Sequence, residues 1–121
     1  MDQFIAAYKD AVFTNYANFA GRLDVGRFWR FIAINFVISL VLSVLWQSFG
    51  VLWYVLAGAY WVALFVPQLS ATVRRLHDTG KTGWLVLLYL IPLIGTIVLI
   101  VLCVQKGDAD ANDYGPPYVP Y

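Results

Sequence analysis

The chain has 121 residues, enough for a single domain, and its net charge of +1 provides no basic excess that would bind nucleic acid. Hydrophobic residues make up 61% of the sequence and charged residues 12%, against about 45–50% and about 25% in ordinary soluble domains. A small soluble protein needs more polar surface rather than less, so this composition excludes a soluble globule and indicates a chain surrounded by lipid.

The N-terminal segment, residues 1–27, is predicted to form an amphipathic helix followed by a turn at Gly21. Its apolar residues recur at helical spacing: Phe4, Ile5, Tyr8, Val12, Tyr16 and Phe19. Polar residues such as Asp2, Lys9 and Asn15 fall on the other faces. Such a helix either lies at the membrane surface or packs against the cytoplasmic ends of the membrane helices, and the two placements are compatible.

Three apolar runs follow, and each is close to the roughly 20 residues that a helix needs to cross a bilayer. They cover residues 31–49, 51–73 and 84–104. Pro67 predicts a kink near the end of the second run, and Pro92 with Gly95 predicts a bend in the middle of the third. The sequence therefore predicts an all-α membrane protein, a single domain with three transmembrane helices and an N-terminal amphipathic interfacial helix.

The basic residues predict how the chain is oriented in the membrane. Seven of the eight precede the first run or lie between the second and third: Lys9, Arg22, Arg27, Arg30, Arg74, Arg75 and Lys81. Because basic loops stay in the cytoplasm, we expect a multi-pass membrane protein with a cytoplasmic N-terminus. Lys106 alone follows the third run, so the exposed tail of residues 105–121, with the C-terminus, is expected on the outside.

Four motifs make the chain similar to a known family. They are GRLDVGRFWRF at 21–31, RRLHDTGKTGW at 74–84, IPLIG at 91–95 and YGP at 114–116. In this order they resemble the bacterial inner-membrane family catalogued as domain of unknown function 805. Asp24 and Val25 depart from its pattern, which has a small residue and often a further basic one there. The resemblance implies a location in the bacterial inner membrane and a membrane topology, but no biochemical activity.

The polar residues around the first and second runs form the candidate site. They are Arg22, Arg27, Arg30, Arg74, Arg75, His77, Asp78, Lys81 and Trp84. In one interpretation the arginines anchor the chain at the interface, Asp78 pairs with one of them, and Asp78 with Gly80 turns the chain. In the other, the arginines and Lys81 form a basic pocket between helices that binds the phosphate of an anionic lipid headgroup. The sequence leaves both interpretations open.

Catalysis has little support in the sequence. His77 beside Asp78 resembles an acid–base pair in composition, but adjacent side chains usually point in different directions and no nucleophile motif accompanies them. The single cysteine, Cys103, has no partners at metal-ligand spacing, and no metal or cofactor is implied.

We therefore expect a non-enzymatic module that binds anionic membrane lipids or a membrane partner through its cytoplasmic-face arginines. The alternative is a subunit of a small channel or transporter assembled as a homo-oligomer. Ser39 and Ser43, four residues apart, would permit close contact between helices in such an assembly. A pore would need polar residues along one helix face, and the apolar runs offer only Asn35, Gln68 and Thr96 for this purpose.

Overall fold

The computed structural model describes residues 2–116 of the chain. All regular elements in this range are helices, in agreement with the predicted all-α class. Helix α1 spans Asp2–Lys9 and continues into a π-helical turn, Asp10–Thr14. The remaining elements are helix α2, Val25–Phe49, helix α3, Val51–Asp78, a 3₁₀ helix, Gly83–Leu90, and helix α4, Ile94–Val104.

Helices α2 and α3 are long and apolar enough to cross a bilayer. They pack against each other and are joined by a turn at Gly50. Both extend past the predicted runs at the end that carries the arginines, because α2 already begins at Val25 and α3 continues to Asp78. Towards the Gly50 turn, most of the large apolar side chains of this pair are exposed, as suits a surface in contact with lipid.

The buried core lies at the arginine end of the molecule. Residues 70–78, the last turns of α3, are all buried, although several of them are polar or charged. Helix α1 packs against α2, and the π-helical turn and the 3₁₀ helix pack against α3. The apolar part of this core consists of Ala11, Leu23, Phe28, Phe31, Leu64, Ala71 and Cys103. The end of α3 is therefore surrounded by protein.

The N-terminal segment contacts α3 beside Pro67. Proline has no N–H, so the carbonyl of Ala63, four residues earlier, lacks its usual partner within the helix. The hydroxyl of Tyr16 donates to that carbonyl at 2.7 Å, and Ser70 Oγ donates to the Tyr16 carbonyl at 3.0 Å. A side chain from outside the helix thus replaces the hydrogen bond that Pro67 removes.

The helix predicted to run up to a turn at Gly21 is wrong in its extent. The helical part ends at Thr14, and residues 15–24 lead to α2 without a regular helix. Asn15 explains part of this boundary, because its side chain donates to Asp10 Oδ1 at 2.7 Å and competes with continuation of the helix. Placement of the segment at the membrane surface stays a prediction.

The predicted third transmembrane helix, residues 84–104, is also wrong. The 3₁₀ helix and α4 are separate arms of a hairpin, here called the C-terminal hairpin. With 8 and 11 residues, the arms are each roughly 16 Å long, about half the thickness of a hydrocarbon core of about 30 Å. Neither arm is long enough to cross a bilayer.

A γ-turn at Leu93 reverses the chain between the two arms. Leu93 has φ 64° and ψ −64°, a strained combination for a residue with a side chain, and Ile94 N–H donates to the Pro92 carbonyl at 2.7 Å. Two residues further on, a Cβ on Gly95 would meet the carbonyl oxygen of Leu88. The motif at 91–95 therefore closes a tight hairpin.

The C-terminal tail lies at the same end of the molecule as the arginines. Asp108 N–H donates to the Asp78 carbonyl at 2.7 Å, and Asn112 Nδ2 donates to the His77 carbonyl at 3.0 Å. The prediction that the tail and the arginines lie on opposite faces is wrong, because the hairpin returns the chain to the end of α3. Residues 117–121 of the predicted tail lie outside the described residues.

Candidate functional site

A buried carboxylate holds two arginines at the end of α3. Asp78 Oδ1 lies 2.9 Å from Arg22 Nε, and Asp78 Oδ2 lies 2.6 Å from Arg75 Nη1. All three side chains are buried. This group, Arg22, Arg75 and Asp78, is here called the Arg–Asp–Arg cluster. One carboxylate does not neutralise two guanidinium groups, so the cluster needs further acceptors.

Backbone carbonyls supply those acceptors. Arg22 donates through Nη1 and Nη2 to four carbonyls, those of Asp78, Asp108, Asp110 and Gly115. Arg75 donates to three, those of Leu23, Cys103 and Gln105. Every nitrogen of the two guanidinium groups therefore has an acceptor within the protein. The cluster joins the start of α2, the end of α3, the end of α4 and the tail.

The tail approaches Asp78 closely because residue 107 is a glycine. A Cβ on Gly107 would overlap the Asp78 carboxylate. The absence of a side chain lets the backbone pass the carboxylate and place the following carbonyls around Arg22.

His77 belongs to the contacts of the tail. Its Nδ1 lies 2.9 Å from the Gly21 carbonyl, and its ring stacks on Tyr114 at 3.9 Å with an interplanar angle of 3°. Asp78 is occupied by the two arginines. His77 and Asp78 thus have separate partners, and the geometry gives them no shared acid–base hydrogen bond.

The other predicted site residues lie elsewhere. Arg74 is buried on another face of α3, where its Nη1 is 4.0 Å from Asp10 Oδ2. Arg27 pairs with Asp24 at 3.2 Å in the first turn of α2, and Arg30 is half-buried one turn later. The last two are Lys81, whose Nζ donates to Gln105 Oε1 at 3.0 Å, and Trp84, which is exposed. The predicted site residues therefore do not all converge on one cavity.

A groove of about 540 Å³ lies between α2, α3 and the C-terminal hairpin. One end reaches Phe28 and Trp29, beside the basic first turns of α2, and Trp29 Nε1 donates to the Cys103 carbonyl there at 3.1 Å. The wall is largely apolar, and its polar residues are Asn35, Ser39, Gln68, Tyr89 and Thr96. Among the described residues, no three His, Cys, Asp or Glu side chains are placed to hold a metal ion.

A chain of hydrogen bonds ends at this groove. It begins at Tyr8 in α1, whose hydroxyl is 3.0 Å from the Tyr60 hydroxyl in α3. Tyr60 donates to Asn35 Oδ1 at 2.7 Å, and Asn35 Nδ2 donates to Gln68 Oε1 at 3.3 Å. Asn35 and Gln68, two of the polar residues considered for a pore, thus form a hydrogen-bonded pair in the wall of the groove.

Sequence reasoning missed a polar stripe along α2. Asn35, Ser39, Ser43 and Gln47 are spaced four residues apart, and they line two neighbouring grooves that share Trp61. The spacing was visible in the sequence, but Ser39 and Ser43 were interpreted as small residues for helix packing. Ser43 Oγ donates to the Ser39 carbonyl at 2.8 Å, as serines in apolar helices often do.

Comparison with known proteins identifies the family. Residues 16–116 match the family described as Protein of unknown function (DUF805). The chain belongs to the DUF805 family. It is 37% identical over 122 residues to the inner membrane protein YhaH of Escherichia coli (strain K12), a match that covers 96% of this chain and 95% of YhaH. It is 35% identical to the inner membrane protein YhaI of the same strain, over 87% of this chain and 89% of YhaI. No solved structure matches the chain.

The motifs that resemble the DUF805 family meet one another in the fold. Arg22 comes from the first motif and Asp78 from the second, while the third forms the turn of the C-terminal hairpin. From the last motif, Tyr114 stacks on His77 and the Gly115 carbonyl accepts a hydrogen bond from Arg22. The first, second and last motifs thus form one buried structural centre at the end of α3, and the third forms the turn of the hairpin.

Proposed function

We propose that this protein is a non-enzymatic module of the inner membrane that binds an anionic glycerophospholipid in the 540 Å³ groove. In this proposal α2 and α3 cross the membrane, and the C-terminal hairpin enters from the cytoplasmic side and returns to it. The arginine end, the N-terminus and the tail then face the cytoplasm, where the leaflet is anionic. The observation that carries the proposal is a lipid-accessible groove that begins beside a basic helix turn.

The headgroup contact is assigned to Arg27 and Arg30 because every guanidinium nitrogen of the Arg–Asp–Arg cluster already donates to a protein oxygen. Arg22 and Arg75 direct every guanidinium nitrogen at protein oxygens, so an anion would have to displace those bonds. Arg30 follows Trp29, which lines the groove, and it is half-buried rather than enclosed. Arg27 pairs with Asp24, whose side chain is 41% exposed.

Lipid-dependent thermal stability of the purified protein tests this function. A ligand that binds only the folded state raises Tm with its concentration. We expect phosphatidylglycerol to raise Tm more than phosphatidylcholine with the same acyl chains, because only the former carries a net negative charge. Arg30→Gln should reduce this difference, whereas Lys9→Gln, which removes a charge from exposed α1, should preserve it. An equal response of the unsubstituted protein to both lipids would reject the proposal.

A second candidate, a channel or transporter subunit, is favoured by the polar stripe of α2. The stripe continues from Asn35 to Gln47 along one face and lines both grooves. Because these grooves open to lipid in a single chain, a second copy would have to close them to form a pore. Ion flux from proteoliposomes that is lost in Ser43→Leu would support this candidate over the lipid-binding module.

A further inference from the structure

We infer that Gln68 selects the lipid by donating a hydrogen bond to an ester carbonyl of its glycerol backbone. The groove would then prefer an anionic phospholipid with ester-linked acyl chains to the same lipid with ether-linked alkyl chains. This inference rests on the proposed function and adds to it the chemical group that is recognised.

The direction of the hydrogen-bond chain fixes which atoms of Gln68 are available. The Tyr60 hydroxyl uses its proton on Asn35 Oδ1, so it accepts from Tyr8. Asn35 then donates through Nδ2 to Gln68 Oε1. The oxygen of Gln68 is therefore engaged and its nitrogen carries the free donors. Within residues 2–116, no atom accepts a hydrogen bond from Gln68 Nε2.

An amide N–H in the wall of an apolar groove needs an acceptor. Leaving an amide without a partner in an apolar environment is unfavourable, because the donor loses its hydrogen bonds to water and gains none in return. The groove walls next to the polar pair are apolar, with Ile32, Phe36 and Leu99 among them. A lipid hydrocarbon chain has no acceptor, whereas a diacylglycerol backbone has two carbonyl oxygens.

The order of groups along α2 matches the order of groups in such a lipid. Arg30, assigned to the phosphate, precedes Asn35 by five residues, roughly 7 Å along the helix axis. A glycerophospholipid places its ester carbonyls one glycerol unit below the phosphate and its chains below them. Continuing along α2, the groove wall passes to Phe36. A cationic side chain, a donor for the ester carbonyl and an apolar wall thus follow one another in the order in which the lipid presents its phosphate, carbonyls and chains.

The test compares two phosphatidylglycerols that differ only in their linkage. Binding of the diester and diether forms, with equal chain lengths, is measured by titration into the full-length protein in detergent. We expect the diester to bind about 3- to 10-fold more tightly, the range that one net hydrogen bond provides. Gln68→Leu should lower the affinity for the diester to that for the diether and so remove this preference. Gln47→Leu, an amide lost from the neighbouring groove, should keep it.

The outcomes separate this inference from the function on which it rests. Equal binding of diester and diether by the unsubstituted protein, with phosphatidylglycerol still preferred to phosphatidylcholine, would overturn the role of Gln68 alone. Loss of the headgroup preference as well would overturn the proposed function. The comparison of linkages needs no substitution, and Gln68→Met provides a second variant if Gln68→Leu fails to fold.

Discussion

At the scale of single residues, Asp78 is the carboxylate that joins the two buried arginines of the cluster. It is the one carboxylate in contact with both Arg22 and Arg75, and the three side chains lie in a region shielded from water. Replacing a buried ion cluster by apolar residues is often tolerated, but removing one partner leaves buried charge uncompensated. The cluster therefore fixes how these segments are arranged. Loss of any one of its members would leave buried charge without a partner.

We predict that Asp78→Asn destabilises the protein by about 3–5 kcal/mol, because the two guanidinium groups lose the carboxylate that pairs with both of them while staying buried. Chemical denaturation in detergent measures the change. Asp24→Asn is the matched control, since its pair with Arg27 is partly exposed and should contribute less than about 1 kcal/mol. Similar losses in the two variants would contradict a structural role for the cluster.

At the scale of elements, the C-terminal hairpin is the feature that distinguishes this fold from a three-helix bundle. Its turn combines a strained Leu93 with the approach of Gly95 to the Leu88 carbonyl. The arms bring the carbonyls of Cys103 and Gln105 back to Arg75. The hairpin thus completes the cluster and forms one wall of the groove.

We predict that Gly95→Ala destabilises the protein strongly, by more than about 2 kcal/mol, because the new methyl group overlaps a backbone carbonyl that cannot rotate away. The control is Gly58→Ala in α3, where a Cβ meets no atom within 4 Å and alanine is the better helix former. This control should leave stability unchanged or raise it by up to about 1 kcal/mol. Thermal unfolding compares the two, and an unaffected Gly95→Ala would contradict the tight turn.

The elements show which parts of the fold the sequence could predict. The spans of α2 and α3 follow from local hydropathy, which needs no knowledge of neighbours. Residues 84–104 have the same hydropathy whether they cross the bilayer or turn back within it, so their pattern could not separate a span from a hairpin. Pro92 and Gly95 were the available signal, and they were interpreted as a bend.

The candidate site could be predicted from the sequence only in part. The convergence of Arg22 and Arg75 on Asp78 follows from the placement of charges at one end of the helices. The carbonyls of Asp108, Asp110 and Gly115 could not be anticipated, because every residue has a carbonyl and only the fold decides which ones face an arginine. Backbone oxygens therefore supply the acceptors that acidic side chains alone would not provide for the two arginines of the cluster.

At the scale of the whole molecule, the proposed topology places both ends of the described chain on one side of the membrane. The cluster and the tail contact the end of α3, Asp10 of the π-helical turn pairs there with Arg74, and the Gly50 turn lies at the other end of the α2–α3 pair. A lipid in the groove would then meet its cationic residues and its hydrogen-bond donor within the cytoplasmic leaflet. A third crossing would remove the tail from Arg22 and open the cluster.

Cysteine accessibility in intact cells tests this arrangement most directly. In a Cys103→Ala background, Asp113→Cys reports the tail, Lys9→Cys reports α1, and Ser48→Cys reports the Gly50 end, all at exposed positions. We expect a membrane-impermeant thiol reagent to label Ser48→Cys from outside, and to label Lys9→Cys and Asp113→Cys only after the inner membrane is permeabilised. Labelling of Asp113→Cys together with Ser48→Cys in intact cells would contradict the hairpin, the cluster and the position of the tail.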